Sequence, residues 1–106
     1  MDLQELMAEI NNLVEERKWG QFHSVENLIK SISIESAELL ECVQWGPDFD
    51  FSAVQAELAD VFTYCLMLAN KLGVDPVGIT AQKLESTRLK YPIEKANGRA
   101  TKYDRL

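Results

Sequence analysis

Apolar residues recur along most of this chain at spacings of three and four, the period of an amphipathic helix. Near the N-terminus the pattern is carried by Leu3, Leu6, Met7, Ile10, Leu13 and Val14. It predicts a first helix from Asp2 to Lys18, with Asp2 as the N-cap. The segment 19–23, Trp-Gly-Gln-Phe-His, breaks the period and predicts an ordered connection.

Two further helices follow from the same pattern. Ser24 is a good N-cap for a second helix that runs to about Gln44, before Gly-Pro-Asp at 46–48 ends it. A third helix is predicted from Ser52 to Leu72, with Gln55 completing a capping box. The second half of this helix is apolar around most of its circumference, which predicts a central position with neighbours on several sides.

The third helix should end at Gly73, a suitable left-handed C′ residue, and a fourth should begin close behind it. Asp75 provides its N-cap, Pro76 occupies its first position, and Pro92 stops it near Tyr91. Residues 93–106 are polar and basic. The chain is therefore predicted to be all-α, with a helical domain at 1–92 and a polar C-terminal tail at 93–106.

Composition narrows the class of protein. The 106 residues are 46% hydrophobic, which argues against disorder, and a helical chain this short often completes its core by subunit pairing. The net charge of −6 argues against binding a nucleic acid polymer. The N-terminus has no secretory pattern and the longest apolar run, 65–69, cannot span a membrane, so a cytoplasmic location is expected. Cys42 and Cys65 are expected to be buried free thiols.

Two short acidic motifs are the most informative chemical feature. The second helix carries Glu35 and Glu38, and the third carries Glu57 and Asp60. Each pair is spaced i, i+3, so both carboxylates lie on one side of the helix. Glu35 shares its stripe with Leu28, which directs it toward the packed side. Burying unpaired carboxylates together is costly, so basic side chains or a cation must compensate.

The scarcity of basic residues favours a cation. The second helix has only Lys30, and the third has none before Lys71. Ligands that are all oxygen suit Mg²⁺ or Mn²⁺. A solvated acidic face is the alternative to a metal site. A di-iron site of the ferritin type would need Glu-x-x-His motifs, and the single histidine, His23, lies outside both helices.

The pair Glu35-x-x-Glu38 and Glu57-x-x-Asp60 resembles the metal-binding signature of the MazG-like all-α nucleotide pyrophosphohydrolases, in particular their dCTP pyrophosphatase-like branch. The resemblance spans nearly the whole chain. Further matching segments are Trp19-x-Gln21-Phe22-His23, Asn27-Leu28, Gln44-Trp45, Arg88-x-Lys90-Tyr91-Pro92 and Lys102-Tyr103.

This resemblance implies a four-helix MazG-like bundle completed by subunit pairing, as a homo-oligomer that is a dimer or a tetramer built from dimers. It implies Mg²⁺-dependent hydrolysis of a nucleoside triphosphate, such as dCTP or another dNTP, to the monophosphate and pyrophosphate, for cleaning of the nucleotide pool. Glu35, Glu38, Glu57 and Asp60 are the expected metal ligands. Glu38 is the candidate catalytic residue that orients or deprotonates the attacking water.

Candidates for contacting the rest of the nucleotide come from the same comparison. Lys83 and Arg88 are candidates for binding the outer phosphates, against the alternative of a solvated helix face. The candidates for the base and sugar pocket are Trp19, Phe22, His23, Trp45 and Tyr64. Without the resemblance, ordinary packing is the favoured role for Phe22 and Tyr64. Thr87 stands where relatives often have asparagine, which leaves its role open.

Two functions outside catalysis fit the same residues. One is a helical dimerisation module whose acids lie on a solvated surface. The other is a nucleotide sensor that binds without turnover. Neither the base preference nor the number of metal ions follows from the sequence.

Overall fold

The computed structural model describes residues 1–106 and contains helices and no strand, which confirms the all-α prediction. Four long helices are present: α1 (Leu3–Glu16), α2 (Val25–Glu41), α3 (Phe51–Leu72) and α4 (Pro76–Lys90). A short α5 (Ile93–Ala96) and two 3₁₀ turns (Trp19–Phe22 and Tyr103–Arg105) complete the secondary structure.

Most of the predicted helix ends are confirmed by hydrogen bonds. Asp2 Oδ1 accepts from the Glu5 amide at 2.9 Å, and Ser24 Oγ accepts from the Asn27 amide at 3.1 Å. The carboxylate of Asp75 caps α4 in the same way. Gly73 ends α3 with φ 69°, a left-handed conformation that costs glycine little.

The predicted start of α3 was wrong. The helix begins at Phe51, and its N-cap is Asp50, whose Oδ1 accepts from the Ser52 amide at 3.0 Å. Ser52 therefore lies inside the first turn, and the predicted capping box with Gln55 does not form the helix start. An aspartate and a serine two residues apart are both good caps, and the apolar pattern does not choose between them.

Two predicted helix ends were too late. α2 ends at Glu41 because the next residues switch to tighter bonds three residues apart, such as Gln44 N to Glu41 O at 3.3 Å. α1 ends at Glu16, since Lys18 adopts a left-handed conformation with φ 54°. The residues that follow Glu16 and Glu41 keep the helical spacing of apolar positions in the sequence, but they are not helical in the structure.

By its internal contacts the chain separates into two compact units, Met1–Val74 and Asp75–Leu106. In the first unit α3 packs against both α1 and α2, which bears out its predicted central place. Asn70 of α3 ties it to α1, donating from Nδ2 to the Met7 carbonyl oxygen at 3.2 Å. The buried apolar residues of this unit are Ile10, Leu28, Leu66 and Ala69, of which Leu28 and Leu66 are almost completely buried.

The burial predicted for the two cysteines was wrong. Both are free thiols, but Cys65 is exposed and Cys42 is half-buried. Cys65 lies on a face of α3 where Leu58 and Phe62 are also about half exposed, at 55% and 50%. The apolar sequence predicted neighbours on several sides of the helix, and within one chain this side stays about half exposed.

In the second unit, the residues after α4 fold back on its end. The Tyr103 ring meets the Tyr91 ring edge to face, with centroids 6.1 Å apart. The Lys90 ammonium lies 4.8 Å from the centre of the Tyr103 ring. The segment 93–106, expected as a polar tail, thus includes a short helix and a 3₁₀ turn.

By length and composition alone, α3 could cross a membrane, with 22 residues and a mean hydropathy of 1.2. One such helix is a weak indication, because the central helix of a helical bundle meets the same criterion. Its sequence includes the acidic residues Glu57 and Asp60.

Candidate metal centre and nucleotide site

Three carboxylates converge where α2 and α3 pack together. Glu35 comes from the middle of α2, and Glu57 and Asp60 come from the first half of α3. One oxygen of each lies within 4.8 Å of the others. The i, i+3 spacing on α3 places both of its acids on the side that faces α2. The two sequence motifs, separated by about twenty residues in the chain, therefore form one acidic cluster.

The most buried oxygens of this cluster have no protein partner. Glu35 Oε2 and Glu57 Oε2 are inaccessible to solvent and accept no hydrogen bond. None of the ion pairs in the chain involves these acids. A buried carboxylate oxygen without a partner is costly, so the cluster has the charge and the vacant ligand atoms that a divalent cation satisfies.

The neighbouring carboxyl groups raise the pKa of Glu35. Interaction with the neighbouring Glu38 carboxyl is the largest cause that raises the pKa of Glu35 to about 7, followed by burial and by the charges of Asp60 and Glu57. Glu38, although exposed, therefore lies close enough to Glu35 to act on its pKa.

The pKa of Glu57 is also raised, chiefly by burial and then by the charges of Glu38 and Asp60. The charge of Glu41, the last residue of α2, also raises the pKa of Glu57. Glu41 was not among the acids predicted from the sequence. Its position three residues after Glu38 extends the Glu-x-x-Glu motif by one more step, and that spacing was the signal available.

A second concave region lies in the same unit, against the aromatic connection. It is a cavity of about 280 Å³, and it includes His23. The other lining residues are Asn11, Val14, Glu15, Gly20, Leu28, Met67, Asn70 and Lys71. Leu28 and Met67 lie on the two helices that carry the acids, seven residues from Glu35 and Asp60, which is about 10 Å along a helix.

The other predicted base and sugar residues lie outside the lining of this cavity. Trp19 is half-exposed, and the Arg17 guanidinium lies 5.7 Å from the centre of its ring. Phe22 is exposed, and Trp45, in the turn after α2, is 91% exposed. Tyr64 is half-buried in α3. The structure thus brings His23 to a cavity and leaves the two tryptophans on the surface of the chain.

The predicted phosphate-binding residues belong to the second unit. Lys83 and Arg88 are exposed on α4, and Arg88 pairs with Glu85 one turn earlier. The Thr87 hydroxyl donates to the Lys83 carbonyl oxygen at 3.1 Å. Thr87 therefore uses its donor within the helix, where an asparagine side chain would reach farther from the backbone.

Known proteins resemble this chain over most of its length. The chain is 34% identical to dCTP pyrophosphatase 1 of Bos taurus and 33% identical to dCTP pyrophosphatase 1 of Homo sapiens. Each alignment covers 99% of this chain and 66% of the relative, so the chain spans just under two thirds of these proteins. A crystal structure of a pyrophosphatase from Archaeoglobus fulgidus superposes with a TM-score of 0.80 at 34% identity, covering 85% of this chain and 92% of that one.

The MazG-like family model matches residues 30–106, a range that begins just before the acids of α2 and includes those of α3. The helical fold, the paired acidic motifs and these similarities all indicate the same family. The chain belongs to the MazG-like family.

Proposed function

We propose that this protein is a Mg²⁺-dependent nucleoside triphosphate pyrophosphohydrolase that converts a dNTP, such as dCTP, to the monophosphate and pyrophosphate. The observation that carries the proposal is the acidic cluster with its two buried, unpartnered oxygens, Glu35 Oε2 and Glu57 Oε2. Relatives named as dCTP pyrophosphatases support the choice of substrate class. Removal of unwanted nucleotides from the cytosolic pool is the corresponding role.

The four motif acids have two different roles in this proposal, cation binding and proton transfer. Glu35, Glu57 and Asp60 offer oxygens close enough together to hold one cation, and Glu38 lies beside them with an exposed carboxylate. Mg²⁺ held by these acids would neutralise the negative charge that develops on the phosphates during hydrolysis. Glu38, being accessible, is the group we assign to accept the proton of the attacking water.

The nucleotide extends away from the acids in this proposal. The cavity that includes His23 is about 10 Å along α2 and α3 from the cluster, comparable with the separation of base and phosphates in a nucleotide. We assign it to the base, with Trp19, Trp45 and Tyr64 as further candidates for base and sugar contact. Lys83 and Arg88 remain the proposed ligands of the outer phosphates.

We also propose that the protein acts as a homo-oligomer, either a dimer or a tetramer built from two dimers. Large apolar side chains stay exposed on α2, α3 and the loop between them, including Leu40 at 66%, Phe49 at 56% and Phe51 at 72%. An apolar surface of this extent on a monomer usually marks an interaction site. A second copy that covers it would complete the core of the bundle.

The test is product analysis. The purified protein is incubated with each common dNTP and NTP, with Mg²⁺ or with EDTA, and the products are separated by chromatography. We expect Mg²⁺-dependent monophosphate and pyrophosphate, abolished in Glu38→Gln. Glu26→Gln is the matched control, because Glu26 is an exposed acid on the same helix that pairs with Lys30.

Other products would contradict the proposal in informative ways. Diphosphate with orthophosphate would mean that a different bond is cut. Nucleotide binding without any product would favour a sensor. An absence of both binding and turnover would favour a helical dimerisation module.

A further inference from the structure

The connection between α1 and α2 is held by side-chain amides near both of its ends. Near its start, Gln21 Nε2 donates to the Lys18 carbonyl oxygen at 2.9 Å. At its end, Asn27 Nδ2 donates to the Phe22 carbonyl oxygen at 2.9 Å. Connections on a protein surface are usually more mobile than the helices that they join. These two bonds restrict this connection to one path.

The bond from Asn27 to Phe22 is not needed to begin α2. Ser24 already caps this helix, because its Oγ accepts the backbone amide of Asn27 at 3.1 Å. The side chain of Asn27 reaches past the cap to a carbonyl oxygen five residues earlier, outside the helix. This side chain therefore serves the connection rather than the helix.

The segment that is fixed in this way forms one wall of the cavity. Gly20 and His23 line the cavity from the connection, and Leu28 lines it from α2. The His23 amide donates to the Gly20 carbonyl oxygen at 3.1 Å, which holds the two lining residues together. Leu28, the residue after Asn27, is 1% exposed and belongs to the packed core. The Asn27 amide thus joins the wall of the cavity to a helical turn that the core holds in place.

Asn27 is well separated from the acidic cluster. It lies eight residues before Glu35 on α2, which is about 12 Å along the helix. Its own side chain does not line the cavity. A change at Asn27 therefore frees the wall of the cavity without removing any candidate ligand of the cation or of the base.

Resting on the function proposed above, we propose that Asn27 is a positioning residue for nucleotide binding. Its amide holds Gly20 and His23 in place before the nucleotide arrives, so that little conformational freedom is lost on binding. Without this bond the connection samples other positions, and each nucleotide that binds must first order it. The affinity for the nucleotide then falls, while the hydrolytic step at the acids is unaffected.

Two variants remove the amide donor of Asn27 in different ways. Asn27→Asp keeps the size of the side chain but sets a carboxylate, which only accepts hydrogen bonds, against the Phe22 carbonyl oxygen. An acid in the first turn of a helix is favourable, so this variant does not weaken α2. Asn27→Ala removes the donor without adding a charge. Gln4→Glu is the matched control, because it makes the same change of charge in the first turn of α1, at an exposed residue outside the cavity.

Amide hydrogen exchange of the full chain measures the connection directly, by mass spectrometry of peptides that contain residues 19–23. We expect both Asn27 variants to exchange about threefold to tenfold faster there than the wild type, as the loss of one hydrogen bond predicts. Exchange in α3 should be unchanged, and Gln4→Glu should match the wild type throughout. Unchanged exchange of residues 19–23 in either Asn27 variant would overturn the proposal.

Hydrolysis of dCTP separates a positioning role from a structural one. We expect KM to rise about threefold to tenfold in both Asn27 variants while kcat stays close to that of the wild type, the pattern of an interaction equally strong in the ground and transition states. A fall in kcat with KM unchanged, or an unchanged KM despite faster exchange, would overturn the proposal. A rise in KM for Asn27→Asp alone would assign the effect to the added charge, and would overturn it as well.

The same variants keep this inference distinct from the proposed function. If the wild type hydrolyses no dNTP, the proposed function fails, and calorimetry of dCTP binding with Mg²⁺ takes the place of KM. Weaker binding of dCTP by both Asn27 variants would then support the positioning role. Equal binding by the wild type and both variants, or no binding by the wild type, would overturn it.

Discussion

Cation binding to the acidic cluster should depend on pH where ordinary carboxylates no longer titrate. The neighbouring Glu38 carboxyl, burial and the charges of Asp60 and Glu57 raise the pKa of Glu35 from 4.5 to about 7. A divalent cation needs the ionised carboxylate, so below this pKa each ion that binds must displace a proton. Binding of Mg²⁺ should therefore strengthen as the pH rises toward neutrality.

The pKa sets the size of the effect. A group with a pKa of about 7 is ionised in roughly one molecule in eleven at about pH 6 and in roughly ten of eleven at about pH 8. We therefore expect the apparent dissociation constant for Mg²⁺ to fall about tenfold between these conditions. A carboxylate that kept the ordinary value of 4.5 would be ionised throughout and would give almost no change.

Titration calorimetry without nucleotide measures this directly, at about pH 6, 7 and 8. Glu35→Gln should bind more weakly and lose most of the pH dependence. Histidines also titrate in this range, so His23→Gln is measured as a control and should behave like the wild type. The reasoning fails if the wild-type affinity is the same at both ends of the range, or if His23→Gln removes the dependence instead.

Three further predictions concern stability. First, the pKa of Glu35 is higher in the folded chain than its ordinary value, so protonation stabilises the fold; this contribution is complete below about pH 4.5 and is lost as the pH rises through about 7. The Tm without cations should fall over that range, less so in Glu35→Gln; an equal fall in both would contradict this. Second, Leu28→Ala should reduce the free energy of unfolding by about 2–5 kcal/mol in urea titrations, because Leu28 is 1% exposed. A loss well under that range would contradict this, and would mean that neighbouring side chains move in to fill the space that Leu28 leaves. Third, Asp50→Ala should cost about 1 kcal/mol through the lost cap of α3, and Ser52→Ala much less; the opposite order would restore Ser52 as the cap.

Helix starts were predictable wherever one polar side chain dominated its neighbourhood. Asp2, Ser24 and Asp75 each precede a helix and each accepts the expected amide. The start of α3 failed because Asp50 and Ser52 compete, and only the actual hydrogen bond decides. The ends of α1 and α2 failed because a 3₁₀ turn or one left-handed residue preserves the spacing of apolar residues while ending the helix.

The acidic cluster was predictable to the extent that it depends on spacing. Glu57 and Asp60 share a face of one helix, and contact between α2 and α3 brings Glu35 to them. Which oxygens lack a partner, and that Glu41 also contributes its charge, depend on how far each side chain lies from the helix contact. The hydrogen bond between Asn70 and Met7 lay beyond prediction, because the two residues are 63 positions apart in the sequence.

The two unpartnered carboxylate oxygens also have a consequence for the lifetime of the protein in a cell. Near neutral pH the unloaded chain holds several negative charges together, and a cation that fills the cluster shifts the folding equilibrium by mass action. Proteases and chaperones sample the unfolded fraction continuously. Depletion of divalent cations should therefore lower the abundance of the protein as well as its activity, so that its steady-state level follows the supply of the ion.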